Sequence, residues 1–413
     1  MDLLRFITAG SVDDGKSTLI GRLLFDSKSI MIDQLEAIGK QTRNKEDGSI
    51  DLALLTDGLR AEREQGITID VAYKYFSTPR RKFIIADAPG HIQYTRNMVT
   101  GASNADLIII LVDARNGVVE QTRRHSIIAS LLAIPHVIIA INKMDLVQDS
   151  QDVYNNIVIE YAEVAKSLGL KDVRYLPISA LKGDNIVERN GSYPWYEGQS
   201  LLEILETTEV QNDINHTDGR FPVQYVIRPQ TEELHDYRGY AGRIISGAYK
   251  VGDKIIVQPS GHGSRITHIE SNGRQLSEAF APQSVVIQLE DDIDISRGDV
   301  IVNGDTLPNI ENEFEALVCW MDGKPLVAGN RYLLQHNSRI VKAVVKEINY
   351  RLDVNSLEKK AHPAQAELND VIRVRLRTAS PVAYDSYSKS RVNGGAILID
   401  ETSNVTVGAC MIQ

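Results

Sequence analysis

The sequence predicts an α/β domain built on a parallel sheet, followed by two all-β barrels. Three observations point there. In the first half, apolar runs of strand length alternate with helix-length segments; a polar stretch without apolar period, TTEVQNDINHTDG, follows near 207–219; beyond it, short alternating strands are punctuated by Gly and Pro. At 413 residues the chain also exceeds what one hydrophobic core serves, since single cores stop growing at roughly 250–300 residues.

The elements follow in order. RFITA, KFIIADAP, LIIILVDA, HVIIAINK and RYLPISA read as strands, and STLIGRLLFDSK as the first helix. Helical patterns between near-continuous apolar strands describe βα units in a sheet buried on both faces. After the polar stretch, FPVQYVI, AGRIISG, DKIIVQP and SVVIQL suit a small barrel. A turn-rich segment, NGDTLPNIEN at 303–312, separates these from EFEALVCWM, IVKAVVKEI, DVIRVRLR, GAILID and VTVGACMI. The expected domains are 1–210, 219–305 and 311–413.

Composition narrows the class. Hydrophobic residues make up 43% and charged residues 24%, the balance of a soluble globular chain. A net charge of −10 leaves no overall basic footprint for nucleic acid, although a local patch stays open. Cys319 and Cys410 lie far apart without metal spacing, which fits a reducing cytoplasm. The N-terminus MDLLRF does not read as a signal peptide, and no apolar run approaches a membrane span of roughly 18–20 residues. A cytoplasmic protein without membrane partners is expected. The polar segment KQTRNKEDGS at 40–49 reads either as a solvated insertion or as a switch loop.

Gly10-Ser11-Val12-Asp13-Asp14-Gly15-Lys16-Ser17 fits G-x-x-x-x-G-K-[ST], between a strand and a helix, as the motif requires. Its glycines let backbone N–H groups approach phosphate oxygens at a helix N-terminus. Lys16 would bridge the β and γ phosphates, Ser17 would ligate Mg²⁺, and Thr18 continues the cradle. Asn142-Lys143-Met144-Asp145 follows the strand HVIIAI, at the carboxyl end of the sheet where ligands bind. A carboxylate there accepts guanine N1–H and the 2-amino group; adenine offers neither, so Asp145 selects GTP over ATP. Ser179, Ala180 and Leu181 follow the strand RYLP, and the Ala180 N–H is expected to face guanine O6.

Asp87-Ala88-Pro89-Gly90-His91 supplies a third element. Asp87 is expected to hold a Mg²⁺ water, the Gly90 N–H to sense the γ-phosphate, and His91 either to position the attacking water or to cap the helix beginning IQYTRN. Thr68, in EREQGITID, is the remaining Mg²⁺ candidate, closing over the γ-phosphate and releasing after hydrolysis. Together these elements predict a GTPase with GTP and Mg²⁺ as cofactors. Ser260-Gly261-His262-Gly263, which could suggest a nucleotidyltransferase histidine, reads instead as a hairpin turn. Arg238, in YRGYAG, is assigned to a strand–turn element.

EREQGITID, DAPGH and the two trailing β-modules resemble translational GTPases of the elongation factor Tu and 1-alpha type along the whole chain. The expected architecture is therefore a P-loop GTPase domain followed by two β-barrels, as in elongation factors. Within that superfamily, SVDDGKSTLIGRLL at 11–24 and RKFIIADAPGHIQYTRNMVTGASNAD at 81–106 resemble the GTP-binding large subunits of bacterial sulfate adenylyltransferase, or ATP sulfurylase. Elongation factors usually read GHVDHGKT and DCPGHADYVKNMITGA; here Ser11 and Asp14 replace the two histidines of the first.

The resemblance implies a heteromeric enzyme. A separate small subunit would transfer the adenylyl group of ATP to sulfate, giving adenosine 5′-phosphosulfate and pyrophosphate, and GTP hydrolysis on this chain would offset that uphill step. Residues around 26–70 and 91–101 are where contact with the partner is expected. The chain has no second P-loop and no SGG-x-D-S pyrophosphate loop, so adenylation is assigned to the partner. Because the sequence ends at VGACMIQ, no fused adenylylsulfate kinase is expected. The rival reading is a GTP-dependent carrier of aminoacyl-tRNA on the same layout.

Overall fold

A computed structural model describes residues 2–28, 71–89, 95–210, 215–229, 237–304, 306–353 and 358–413. The chain divides into two compact units, one reaching to Val210 and the other formed by the described residues from 215 onward.

The first unit carries a six-stranded sheet: β1 (Asp2–Ala9), β2 (Ala72–Ser77), β3 (Arg81–Asp87), β4 (Leu107–Asp113), β5 (His136–Asn142) and β6 (Asp172–Pro177), in the order β2-β3-β1-β4-β5-β6. β1 and β3 to β6 pair in parallel; β2 alone is antiparallel, at the edge. Every residue of β4 is buried, as a strand covered on both faces requires. Five helices accompany the sheet among the described residues: α1 (Lys16–Asp26), α2 (Thr95–Ala102), α3 (Glu120–Leu131), α4 (Gln151–Leu168) and α5 (Leu201–Thr207). α4 starts where the Ser150 hydroxyl accepts the Val153 N–H and stops at Gly169, in the left-handed conformation that glycine tolerates. Ser200 and Glu203 close a capping box on α5.

All five parallel strands coincide with apolar runs expected to be strands. β2 was not anticipated. Its sequence AYKYFS buries only Phe76, which stacks on Phe83 with ring centroids 4.5 Å apart, so it has little of the apolar run that marks its neighbours. The described part of the helix expected to begin at IQYTRN is helical from Thr95 to Ala102, overlapping the stretch where partner contact is expected.

The second unit holds two closed β-structures. In the first, Lys254–Gln258, Val300–Asn303, Gly219–Ile227, Gly239–Arg243, Ser284–Leu289 and His262–Ser271 pair in that order, and His262–Ser271 pairs back with Lys254–Gln258. In the second, Arg331–His336, Gly395–Ile399, Thr406–Ile412, Asn309–Trp320, Val371–Tyr384 and Arg339–Leu352 close through the pairing of the last with the first. Closure pairs the first and last strands of each ring, so neither remains an open edge; short exposed strands, Arg274–Leu276 and Lys359–Ala361, add to the outside. Each ring is filled by its own apolar cluster, around Phe221, Tyr249 and Ile287 in one and Trp320, Leu334 and Val374 in the other.

Two details bear on the sequence reading. Ser260 and Gly261 form the hairpin turn into the strand starting at His262, as expected. The separator at 303–312 is shorter than expected: a strand begins at Asn309, because Asn309, Ile310 and Glu311 pair with Tyr384, Ala383 and Val382. Backbone pairing overrides the turn-like composition of NIEN there.

Between the two rings lies a buried polar network. Arg220, 1% exposed, donates to Asp385 through Nε at 2.9 Å and Nη2 at 3.1 Å, and Asn393 Nδ2 donates to the same carboxylate at 2.7 Å. The Ser338 hydroxyl donates to the Val223 carbonyl at 2.7 Å, and Arg339 pairs with Asp299 at 3.3 Å.

Candidate functional site

The loop between β1 and α1 is set by its backbone. Gly15 adopts φ 93°, which a side chain resists, and a Cβ on it would fall 2.6 Å from Asn142 Nδ2. Gly15 is also the N-cap of α1 and supplies no side-chain cap, so the first amides of the helix lie at the loop. The Lys16 ammonium is buried and donates to the Gly10 carbonyl at 2.8 Å and the Ser11 carbonyl at 2.9 Å. Burial pushes the Lys16 amine below its ordinary range, opposed by the nearby carboxylates of Asp87, Asp14 and Asp13. Asp14 braces the loop from within: its carboxylate accepts the Ser11 N–H at 2.6 Å. Val12 and Asp13 are exposed, while Ser17 and Thr18 are half-buried at the start of the helix.

Asp87, at the carboxyl end of β3, is 3% exposed and accepts the Thr8 hydroxyl at 3.2 Å. Ala88 and Pro89 follow it, both buried. Gly90, His91 and Thr68 lie outside the described residues, as does the segment 40–49.

At the end of β5, Asn142 joins three loops. Its Nδ2 donates to the Asp14 carbonyl at 2.7 Å, and its Oδ1 accepts the Ala180 N–H at 2.9 Å. The Ala180 N–H, expected to face guanine O6, is thus taken by Asn142. A buried amide oxygen needs a donor, and the Ala180 N–H supplies it. Lys143 crosses the phosphate loop to the Asp13 carbonyl and pairs with Asp113 at 2.9 Å. Asp145 is half-buried and accepts no hydrogen bond among the described residues. Ser179 is buried and its hydroxyl accepts the Lys182 N–H at 3.2 Å, whereas Leu181 is 70% exposed.

The sequence reading missed Asp113, the last residue of β4. Besides Lys143, it accepts Arg115 Nε at 3.0 Å and Nη2 at 2.6 Å. Burial opposes its ionisation, but the bonds from Arg115 and Lys143 outweigh that and hold its carboxyl well below the usual carboxylate range. An acidic residue closing an apolar parallel strand, in LVDA, was the available signal. His125 on α3 was missed too. It is 1% exposed, and its imidazole is pushed down to about 3 by burial, then by the charges of Lys16 and Arg124.

The site therefore brings together a glycine-bounded loop at a helix N-terminus, a buried ammonium, hydroxyls at the first helical turn, a buried carboxylate and an uncommitted carboxylate on a separate loop. Such a set can hold a polyphosphate at one end and a base bearing two N–H donors at the other.

Comparison with known proteins identifies the family. The Elongation factor Tu GTP binding domain family matches residues 1–211, and the GTP-eEF1A C-terminal domain-like family matches residues 313–413. The "Sulfate adenylyltransferase subunit 1" of Bacteroides fragilis is 50% identical, covering 100% of this chain and 86% of its own. That of Cellvibrio japonicus is 52% identical with the same coverage. A Mycobacterium tuberculosis protein named "Bifunctional enzyme CysN/CysC" is 53% identical over 99% of this chain and 67% of its own length. Among solved structures, Sup35 complexed with GDP is similar at 23% identity and a TM-score of 0.46, over 100% of this chain and 93% of that one. With a GTP-binding domain followed by two β-barrels, and half its residues shared along its whole length with named members, this chain belongs to the sulfate adenylyltransferase subunit 1 family.

Proposed function

We propose that this chain is the GTPase subunit of a sulfate adenylyltransferase, coupling GTP hydrolysis to the synthesis of adenosine 5′-phosphosulfate from ATP and sulfate on a small partner subunit. The observation that carries the GTP site is Asn142, whose single side chain ties the phosphate loop to both base loops.

Residues 10–18 hold the phosphates in this reading. Lys16 spends two of its three ammonium protons on loop carbonyls, leaving one for a phosphate oxygen. Ser17, Asp87 and Thr68 would hold Mg²⁺, which when bound neutralises phosphate charge. The guanine edge is taken by the Asp145 carboxylate, which accepts no hydrogen bond among the described residues, with Lys143 and residues 179–181 around the base. His91 positions water in the same reading, and Gly90 senses the γ-phosphate.

Coupling requires that the nucleotide state of this chain be felt at the partner's adenylating site, a linkage between two equilibria. The names of the similar proteins support a subunit role, and the net charge of −10 lends nothing to the alternative of aminoacyl-tRNA delivery. The test is formation of adenosine 5′-phosphosulfate from ATP and sulfate with the candidate small subunit, with and without GTP, and with Lys16→Ala as control. Product that rises with GTP and falls with the variant is expected; product indifferent to GTP would overturn the coupling.

A further inference from the structure

We propose that Trp195 is a positioning residue for guanine recognition, its indole N–H fixing the turn that carries Asp145. The proposal rests on the reading that Asp145 receives the base edge.

The turn is held in a conformation its residues disfavour. Lys143, Gln148 and Asp149 take φ of 62°, 56° and 55°, and none is glycine. Left-handed backbone at such residues persists only where the surroundings hold it. Inside the turn, the Leu146 N–H donates to the Lys143 carbonyl at 2.9 Å and the Asp149 N–H to the Met144 carbonyl at 3.0 Å. From outside, Trp195 Nε1 donates to the Asp149 carbonyl at 3.1 Å. That bond falls on a left-handed residue four positions from Asp145.

Trp195 is itself braced. Its ring lies 5.0 Å from that of Tyr154 and 5.8 Å from that of Tyr193, centroid to centroid. Tyr154, on α4, donates through its hydroxyl to the Tyr175 carbonyl of β6 at 3.3 Å, so the indole is backed by helix and sheet. The same segment reaches the second base loop: the Asp184 N–H donates to the Ser179 carbonyl at 3.1 Å, and the Asp184 carboxylate accepts the Ser192 hydroxyl at 2.9 Å. One stretch, 184–196, thus contacts both loops that face the base.

Tyr193, which backs the indole, is itself 2% exposed, and burial, then the carboxylates of Asp184, Asp149 and Asp145, raise its phenol above the ordinary range.

The test measures GDP and IDP affinities of the full chain carrying Trp195→Phe, which keeps the ring and removes the donor. Inosine lacks the 2-amino group, so the ratio of the two affinities reports how well the Asp145 carboxylate is placed. The expected result is a loss of about fivefold for GDP and less for IDP, so that the ratio falls by about threefold. Equal losses for both nucleotides, or none, would overturn the proposal, since a residue that merely supports the fold leaves the ratio alone. A second measurement needs no variant: with only two tryptophans in the chain, fluorine-labelled indoles give two resonances. One should move with GDP and move differently with IDP; identical spectra with the two nucleotides would count against the role. Asp145→Asn separates the two readings. If it does not shift preference towards xanthine nucleotides, the guanine reading fails; if it does while Trp195→Phe leaves the ratio intact, only the present inference fails.

Discussion

Asn142 and Asp14 lie 128 positions apart, yet the Asn142 side chain donates to the Asp14 carbonyl at 2.7 Å. The same amide receives the Ala180 N–H at 2.9 Å, so one residue at the end of β5 spans the loop after β1 and the loop after β6. Removing it leaves buried polar groups on both loops without partners. Asn142→Ala should cost about 1–3 kcal/mol of stability and lower GDP affinity at least tenfold. Thermal melting and nucleotide titration check the two effects, and unchanged affinity would refute the bracing role.

Gly15 faces the same side chain. Its φ of 93° and the 2.6 Å approach that a Cβ would make to Asn142 Nδ2 leave no room for alanine. Gly15→Ala should abolish measurable GDP binding while the two barrels stay folded. Retained binding in a fluorescent-nucleotide titration would show that the loop can rearrange.

His125 makes the first unit sensitive to mild acid. Its folded value of about 3 lies below the ordinary 6.5, because burial and two neighbouring cations disfavour the imidazolium. The unfolded chain then binds the extra proton, so stability is complete above about 6.5 and declines as pH falls towards 3. Urea unfolding at pH 7 and pH 5 should show a loss on acidification that His125→Gln reduces. An equal loss in both proteins would sink the assignment.

Arg220 and Asp385 form the buried pair between the barrels. Burial tends to raise the Asp385 carboxyl, but the bonds from Arg220 and Asn393 prevail and hold it below its ordinary value. Its contribution is therefore present above the unfolded value of about 3.9 and disappears as pH falls through the lower folded one. Asp385→Asn should destabilise the second unit by about 3–5 kcal/mol, because Arg220 keeps its charge in a buried site. Replacing both residues by apolar ones of similar size should recover much of that loss. Calorimetry on the single and double variants decides; additive losses would contradict the pairing.

Legibility differed by element. β4 and β5 could be read directly, because LIIILVD and HVIIAIN are apolar at nearly every position, the mark of strands covered on both faces. β2 could not, because an edge strand with exposed Tyr73 and Tyr75 carries no such run. The strand starting at Asn309 was hidden by turn-forming composition and exists through its pairing with 382–384.

Sequence alone determined the order of an α/β domain and two β-barrels, and singled out the glycine-bounded loop, the NKMD tetrapeptide and the carboxylate closing β3 as candidate site elements. These depend on residue types at short fixed spacings, where local backbone geometry does most of the selecting. Tertiary structure decided what each group touches: that the Ala180 N–H serves Asn142, that Asp113 anchors both Lys143 and Arg115, and that the Trp195 indole donates to the Asp149 carbonyl. Those contacts join residues brought together by the parallel sheet and its helices, and burial there makes each unpartnered polar group costly. No local pattern encodes such a constraint, because it exists only once distant strand ends share a low-dielectric surface.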